Sequence, residues 1–290
     1  MLAPSTFSIV AFDPAGPAWG VAVASKFPAV GAVVPWAAAG AGAVATQALA
    51  NTTYGPRGLE LLSTGMAALE ALEHLLTGDD DRNQRQVGLV DTRGGSATFT
   101  GDPCFDWAGG TSSAGVAVQG NILAGPQVVE QMYLAFQSSP GDLPQRLLAA
   151  LAAGDRAGSD RRGRQSAALI VVKPQGGYGG HNDRWLDYRV DDYPDPVPQL
   201  AKLVRLHDLY FGKSPEDERL AITGSTARSL QTMMSRHGYY RGESHGDYDA
   251  ATREALRRFI GNENFEDRTD VENGRIDRPV FEHLVEMFLE

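Results

Sequence analysis

The order of strands and helices in the first two thirds of the chain most constrains its fold. Thr6–Asp13 and Trp19–Ser25 are rich in β-branched and aromatic residues, and a Pro/Gly turn joins them, which predicts a hairpin. Two more short strands are predicted at Ala32–Trp36 and Gly42–Gln47, before the first helix begins at Pro56. Since strands grouped in this way form antiparallel sheets, the pattern predicts helices packed outside such sheets, not a wound parallel sheet.

The same grouping continues up to residue 191. Leucines at helical spacing predict one helix over Pro56–Thr77, which Gly78 ends. The further predicted elements are strands at Gln86–Asp91, Ser96–Thr100, Gly115–Leu123, Ser166–Lys173 and Leu186–Asp191, and helices at Pro126–Gln137 and Leu143–Ala153.

A change of composition near residues 194–200 predicts a domain boundary. The preceding stretch Asp191–Pro198 carries three prolines, all four tryptophans lie before it, and the chain beyond it is more densely charged. We therefore predict two domains, residues 1–198 and 199–290. Helical periodicity at Ser225–His237, Asp249–Asn262 and Arg278–Leu289 predicts that the second domain is small and all-α.

Composition narrows the classes of partner. The 290 residues carry a net charge of −10 and no Lys/Arg-rich block, which argues against nucleic acid. The single cysteine, Cys104, excludes an intramolecular disulfide and is more typical of an incidental thiol than of a catalytic one. The first residues lack the pattern of a signal peptide, and no apolar run has the length of a membrane span, so we expect a cytoplasmic protein without a membrane partner.

Signals for a cofactor or a metal are weak. Residues 40–45 match G-x-G-x-x-A, but no clear helix follows, so we expect no dinucleotide. His237, His245, Asp247 and Asp249 form the nearest approach to a metal cluster, and surface loop residues explain them better. We therefore predict neither cofactor nor metal.

Thr6 is the first candidate for catalysis. A threonine hydroxyl is a weak nucleophile at neutral pH, but a free α-amine on the same residue has a pKa near 8 and can serve as its base. Such an enzyme also needs a positive charge nearby, and Lys26 ends the strand predicted to pair with that of Thr6. The alternative for Lys26 is an exposed lysine at a strand end.

Two further segments offer polar side chains at strand ends. Asn121 follows Gly120 at the end of a buried strand, where its amide is suited to bind an oxyanion or simply to form a turn. Arg161, Arg162 and Arg164 lie in a Gly-rich loop that leads into the next buried strand, and they are suited to grip a substrate carboxylate or to form a solvated basic loop. The candidates that follow them in sequence are Gln165 and Ser166.

The first domain resembles a bacterial domain family of unknown function 1028. The resemblance covers roughly residues 6–198 and is carried by T-F-S-I-V-A (6–11), G-V-A-V-A-S-K-F (20–27), V-G-A-V-V-P-W-A (30–37), G-A-V-A-T-Q (42–47), G-R-Q-S-A-A-L (163–169) and R-V-D-D-Y-P-D-P (189–196). That family is grouped with the N-terminal nucleophile hydrolases, which implies an α+β fold, a four-layer αββα sandwich, and amide-bond hydrolysis. Thr6 matches the position of the nucleophile, so its α-amine becomes free only when the bond between Ser5 and Thr6 is cleaved or synthesis starts elsewhere.

The second domain is similar to peptidoglycan-binding-like helical modules. The similarity is carried by His237–Phe259 and Gly261–Arg268. The predicted core residues of this module are Tyr239, Tyr240, Leu256 and Phe259. It implies a peptidoglycan-like ligand, although cell-wall binding requires export.

Three functional hypotheses follow from these residues. The first is an amidohydrolase acting on a small amide, with Thr6, Lys26, Asn121 and Ser166 as catalytic residues and Arg161, Arg162, Arg164 and Gln165 as substrate-binding residues. The second is a hydrolase-like fold that has lost catalysis and serves as a binding or scaffold protein. The third keeps the activity but uses Ser8, Ser25 or Ser166 as an internal nucleophile. A homo-oligomer is also predicted, because the Gly/Ala-rich residues 37–45 would suit a subunit interface.

Overall fold

The computed structural model describes residues 6–102 and 107–289, so Met1–Ser5, Cys104 and the possible cleavage point before Thr6 lie outside the described residues. The chain divides into two compact units, Met1–Val204 and Arg205–Glu290. The predicted boundary at residue 198 falls inside a helix, Pro196–Phe211. Prolines 196 and 198 stand in its first turn, where the missing N–H has no helical partner to lose.

The described residues form helices and short strands whose bounds set the labels used below. The strands are β1 Thr6–Asp13, β2 Ala18–Ser25, β3 Pro35–Ala38, β4 Gly42–Ala48, β5 Arg85–Val90, β6 Ser96–Thr100, β7 Gly109–Ser113, β8 Val116–Asn121, β9 Ser166–Val172, β10 Arg184–Val190, β11 Arg219–Ala221, β12 Thr269–Asp270 and β13 Arg275–Asp277. The helices are α1 Tyr54–Ser63, α2 Ala68–Thr77, α3 Gln127–Ser138, α4 Leu143–Arg156, α5 Pro196–Phe211, α6 Gly224–Arg236, α7 Ala250–Asn262 and α8 Arg278–Phe288.

The first unit contains two antiparallel sheets. The larger has the strand order β10-β9-β2-β1-β8-β7, and the smaller has the order β3-β4-β5-β6. The strand β1 is central in the larger sheet, paired with β2 on one side and β8 on the other. The antiparallel pairing agrees with the prediction from the grouped hairpins and places the end of β1 between the ends of two neighbours.

Three hydrophobic clusters position the sheets and helices of the first unit. Phe7 and Ile9 of β1 pack in one cluster with residues of α3 and α4, on the outer face of the larger sheet. Val10 packs in a second cluster with Ala43 and Ala45 of the smaller sheet, so the two sheets lie face to face. Val44, which alternates with those alanines, packs with α1 and α2 on the opposite side. Of the predicted interface residues 37–45, residues 41–45 are thus buried inside the chain, whereas residues 37–39 are half-buried and Gly40 is exposed.

Several predicted elements differ from the structure. The single helix predicted over residues 56–77 is two helices, because Gly65 takes φ of +86°, a left-handed conformation that ends α1. The strand predicted at Ala32–Trp36 begins at Pro35, after a short 3₁₀ turn at Val30–Ala32. The strand β7 was not predicted, since its sequence G-G-T-S-S carries no apolar alternation.

The second unit is helical but not all-α, so that prediction is wrong. The strands β11, β13 and β12 form a small sheet, and each is only two or three residues long, too short for a period of two to be recognised. Asp277 at the end of β13 is fully buried and accepts hydrogen bonds from Arg219 Nε at 2.8 Å and Arg268 Nε at 2.6 Å. These two bonds compensate the buried carboxylate and tie the end of β13 to the start of β11 and to the turn before β12.

Two absences among the described residues concern a membrane and a metal ion. No helix among residues 6–102 and 107–289 is long and apolar enough to cross a membrane. The same residues contain no group of three or more His, Cys, Asp and Glu side chains arranged to hold a metal ion.

Candidate functional site

A row of four polar side chains crosses one end of the larger sheet. Thr6, the first residue of β1, lies opposite Ser25 on β2 and opposite Asn121 on β8. Ser25 in turn lies opposite Ser166 on β9. Residues directly opposite each other in antiparallel strands share a face of the sheet, so the four side chains point the same way. The topology therefore brings together three of the catalytic residues predicted from the sequence: Thr6, Asn121 and Ser166.

The row faces the smaller sheet. Thr6 and Ser8 alternate with the outward-facing Phe7, and Ser8 reaches Gln47 of the smaller sheet. Thr6 is buried, with 1% of its surface exposed, and its Oγ1 lies 3.1 Å from Oγ of Ser25, within hydrogen-bond distance. Burial of this hydroxyl pair keeps bulk water from the candidate nucleophile.

A cavity of about 450 Å³ opens beside Thr6, a volume in the usual range for small-molecule sites. Its walls come from β1, from β4 with the segment that follows it, from the loop after β2 and from the turn before β5. The described residues that line it are Thr6, Phe27, Val30, Val33, Val34, Gln47, Ala48, Leu49, Ala50, Asp81, Gln84 and Arg85.

A network of buried side-chain amides supports Thr6 from the smaller sheet. Gln47 Nε2 donates to the Thr6 carbonyl at 3.3 Å and to Gln86 Oε1 at 2.7 Å. The same Gln86 oxygen accepts from Asn121 Nδ2 at 2.9 Å. Because buried polar groups are costly unless they are hydrogen-bonded, these amides fix one another and hold Thr6 on β1 and Asn121 on β8.

The network extends inward along β1. Ser8 Oγ donates to Gln47 Oε1 at 2.7 Å and accepts from Gln119 Nε2 at 2.7 Å. Gln119 lies across from Gly88, where an added Cβ would come within 2.2 Å of the Gln119 Oε1 atom. The glycine therefore makes room for a glutamine between the sheets, and Ser8 is committed to this network.

Two residues with a strained backbone lie close to the row, one directly after Asn121 and one at the end of β4. Ile122, which follows Asn121, has φ of +52°, and Ala48 at the end of β4 has φ of +66°. A β-branched residue in this region is a genuine outlier, and such residues concentrate at functional sites. Ala48 also lines the cavity. The strain supports a functional assignment of this end of the sheets.

One wall of the cavity is organised by a carboxylate. Asp79 Oδ2 accepts from Arg85 Nε and Tyr54 OH, both at 2.9 Å, and from Asn51 Nδ2 at 3.0 Å. The Arg85 guanidinium is the main cause that holds the pKa of Asp79 well below its usual range. Burial, with the hydrogen bond to Asp79, raises the pKa of Tyr54. Arg85 also donates from Nη1 to the Leu49 carbonyl at 2.7 Å, which fastens the strand end that bears Ala48.

The structure places the other predicted catalytic residues in supporting contacts. Ser166 Oγ donates to the Phe27 carbonyl and accepts from the Val30 N–H at 3.2 Å, so it holds the loop that lines the cavity. Lys26 is exposed, and its Nζ donates to the Arg164 carbonyl at 3.3 Å. The predicted position of Lys26 next to the strand pair is thus observed, while its ammonium contacts the arginine-rich loop.

Arg162 and Arg164, which were predicted to bind a substrate carboxylate, form ion pairs with aspartates of the protein itself. Arg164 Nε lies 2.6 Å from Asp155 Oδ1, and Arg162 Nη2 lies 3.1 Å from Asp160 Oδ2. Asp160 is buried and also accepts from the Lys26 N–H at 2.9 Å. A pocket in this region measures only about 10 Å³, about the space for one water molecule. Among the described residues, none of these arginines lines the larger cavity.

The two remaining substrate-binding candidates also lie on this loop. Arg161 donates its N–H to the Ile122 carbonyl at 3.2 Å, which joins the loop to the strained residue beyond β8. The Gln165 N–H donates to the Ser25 carbonyl at 3.1 Å, and its Nε2 donates to Asp192 Oδ1 at 3.1 Å. The described contacts give both residues a part in fixing the loop against the row.

Sequence reasoning missed the amide network and the Asp79 cluster. The available signal was a glutamine at an inward position of an otherwise apolar strand, as at Gln47, Gln86 and Gln119. Such residues are rarely buried unless they are hydrogen-bonded. The contacts among these glutamines depend on which strands pair and which sheets face each other, and the local sequence pattern does not show this.

Comparisons with known proteins place both parts of the chain. Residues 6–200 match the model of a family described as "Family of unknown function (DUF1028)". Residues 210–284 match the model described as "Putative peptidoglycan binding domain". A solved structure of a Silicibacter pomeroyi protein assigned to the first of these families is 31% identical, with a TM-score of 0.64, covering 77% of this chain and 92% of its own. No protein with a curated description matches the chain.

Proposed function

The chain belongs to the DUF1028 family and carries an additional peptidoglycan-binding-like domain, and we propose that it is an amidohydrolase of the N-terminal nucleophile type acting on a small amide. One observation carries the proposal: Thr6, the first residue of a central strand, lines a cavity of about 450 Å³. The αββα arrangement implied for that superfamily accords with two facing sheets that each carry a helix pair outside.

The proposed reaction uses only the Thr6 hydroxyl, its freed α-amine and water. The amine takes the hydroxyl proton as Oγ1 attacks the amide carbonyl carbon, and then gives it to the leaving nitrogen as the C–N bond breaks. The acyl group remains as an ester on Thr6. Water, activated by the same amine, cleaves the ester and releases the acid. The free amine requires that the peptide bond between Ser5 and Thr6 be broken.

Neighbouring residues have positioning and electrostatic roles in this proposal. Asn121, directly opposite Thr6 on β8, is the proposed donor to the oxyanion, and Gln86 orients its amide. Gln47 holds the Thr6 carbonyl and fixes the strand start. Ser25, 3.1 Å from the Thr6 hydroxyl, orients the attacking oxygen. Lys26 adds positive potential at the strand end.

The test compares two forms of the protein with defined N-termini. A chain translated from Met directly before Thr6, with Met removal verified by N-terminal sequencing, is expected to hydrolyse members of a panel of small amides. The form that retains the bond between residues 5 and 6 is expected to be inactive. Activity that survives Thr6→Ala, with Thr6→Ser as the conservative control, would overturn Thr6 as nucleophile and direct attention to Ser25.

A second candidate function is favoured by the match of residues 210–284 to the peptidoglycan-binding model. In this proposal the second unit binds cell-wall glycan or peptide, and the first unit serves as a binding partner without turnover. The full chain should then sediment with purified sacculi, whereas a chain ending at residue 211 should stay in the supernatant. No sedimentation of the full chain would contradict this candidate.

A further inference from the structure

The cavity beside Thr6 has two walls of different chemistry. One wall is apolar and is formed by Phe27, Val30, Val33 and Val34 of the loop after β2. Ser166 fastens this wall through its bonds to the backbone of residues 27 and 30. Burial of a hydrocarbon group against such a surface is favourable in proportion to its area. The apolar wall therefore fits a compact aliphatic or aromatic group.

A second part of the lining is polar and is formed by Asp81, Gln84 and Arg85. The Arg85 guanidinium is already bound to Asp79, with Nε and Nη2 at 2.9 and 3.2 Å from its two oxygens, and Nη1 donates to the Leu49 carbonyl. In such a bidentate pair the charge of the guanidinium is compensated, and its Nε and Nη2 donors are used by the carboxylate. Arg85 is therefore no recognition group for a second carboxylate.

Asp81 gives this wall an excess of negative charge. Its carboxylate side chain is 64% exposed, lies 3.5 Å from Arg85 Nη2, and accepts from Gln84 Nε2 at 3.2 Å. Asp79 and Asp81 together bring two negative charges against the single positive charge of Arg85. A ligand group near this wall meets a carboxylate that faces solvent, and opposite charge is attracted there while like charge is repelled.

We propose that the substrate is an amide with a compact apolar group on one side of the scissile bond and a neutral or cationic polar group on the other. Amides that carry a carboxylate at the polar end are disfavoured. The proposal rests on the proposed function for the reaction, but its charge preference stands on the cavity alone. It reverses the preference that the arginine-rich loop predicts, because Arg162 and Arg164 pair with Asp160 and Asp155.

The experiment measures binding without turnover on the full protein carrying Thr6→Ala. The probes are the isovaleramides of ethylenediamine, ethanolamine and glycine, which share an acyl group and differ in charge. At low ionic strength we expect the ethylenediamine derivative to bind about tenfold more tightly than the glycine derivative, with the neutral ethanolamine derivative between them. Isothermal titration calorimetry or ligand-observed NMR gives the three dissociation constants.

Two substitutions assign the preference to the cavity. Asp81→Asn is expected to reduce the tenfold ratio to about twofold. Asp80→Asn is the matched control, since Asp80 is an exposed neighbour that is not among the described residues lining the cavity, and it should leave the ratio unchanged. Tighter binding of the glycine derivative, equal effects of the two substitutions, or no binding of any probe would overturn the proposal.

Hydrolysis is measured separately with the chain that begins at Thr6. The expected binding order without hydrolysis would retain the charge preference and overturn the proposed reaction. Hydrolysis of the glycine derivative in preference to the other two would retain the reaction and overturn the charge preference.

Discussion

The cavity beside Thr6 and the arginine-rich loop at 160–165 are adjacent in the fold and opposite in character. The loop is conspicuous in sequence, yet Arg162 and Arg164 are bound to Asp160 and Asp155, and the pocket there measures about 10 Å³. The row that includes Thr6 is inconspicuous and uncharged, yet it borders about 450 Å³ of open space. The arginines of residues 160–165 thus fix a loop, whereas the cavity opens beside the neutral hydroxyl of Thr6 and, among its described lining residues, is charged only at Asp81 and Arg85.

The largest expected effect is on kcat/KM, and it compares a substitution beside the cavity with one in the arginine-rich loop. In the chain that begins at Thr6, Thr6→Ala should lower kcat/KM by at least about a thousandfold, because loss of a nucleophile removes the covalent route. Arg162→Ala should change kcat/KM by less than about tenfold, since that guanidinium contacts Asp160. Steady-state kinetics on the best amide of the panel provides the comparison. A greater loss for Arg162→Ala would reverse the assignment of the two regions.

The second largest expected effect is on the free energy of unfolding, and it compares the amide network with the arginine-rich loop. Gln86→Leu should destabilise the fold by about 3 kcal/mol, because Gln47 and Asn121 each lose a buried acceptor for their amide hydrogens. Gln165→Leu on the loop, whose amide bonds Asp192 at the surface, should cost less than about 1 kcal/mol. Urea denaturation of both variants measures the difference. Equal losses would show that the amide network contributes no more than a surface contact.

Asp79→Asn tests the carboxylate beneath the cavity wall. We expect a loss of about 2 kcal/mol at pH 7, since the largely buried Arg85 keeps only the exposed Asp81 as an anionic partner. The pKa of Asp79 is lowered in the folded protein, so its contribution is fully present above the unfolded value of about 3.9 and is lost as the pH falls below it. The difference between wild type and variant should therefore shrink from pH 7 to pH 3 in urea denaturation. A constant difference would contradict the ion pair as its source.

The smallest effect is expected for Arg164→Ala. Its guanidinium is 41% exposed and its bond to Asp155 is screened by water, so we expect a change below about 1 kcal/mol that diminishes further in high salt. Thermal unfolding at low and high ionic strength tests this expectation. A larger, salt-independent loss would make the loop a structural element of the same rank as the amide network.

Local sequence patterns predicted the parts of the fold that rest on local physics. The hairpin of β1 and β2 and the paired helices α3 and α4 follow from alternation, turn residues and helical spacing. The strand β7 and the three strands of the second unit did not follow, because they are short or lack apolar residues. The continuous helix expected over residues 56–77 was broken by the backbone conformation of Gly65, which spacing alone does not show.

The residues of the site could be predicted from the sequence only where the position at the end of one strand was enough to mark them. Thr6 was marked as the first residue of the first strand and by the resemblance to the family, and Asn121 by its position after Gly120 at a strand end. Gln47 and Gln86 lie on different strands and meet Asn121 only because the two sheets face each other. That meeting is a property of topology and sheet packing, so neither periodicity nor composition contains it.

Because the Ser166 hydroxyl holds residues 27–30, the apolar wall of the cavity and Thr6 are held by different strands. The apolar wall of the cavity is held by a side chain of β9, whereas Thr6 is held by the amides of β4 and β5. Substitutions in the loop can therefore reshape what the cavity accepts while the hydroxyl beside it keeps its place. A fold built this way can change the ligand of its cavity by substitutions in one loop, without changing the residues that hold Thr6.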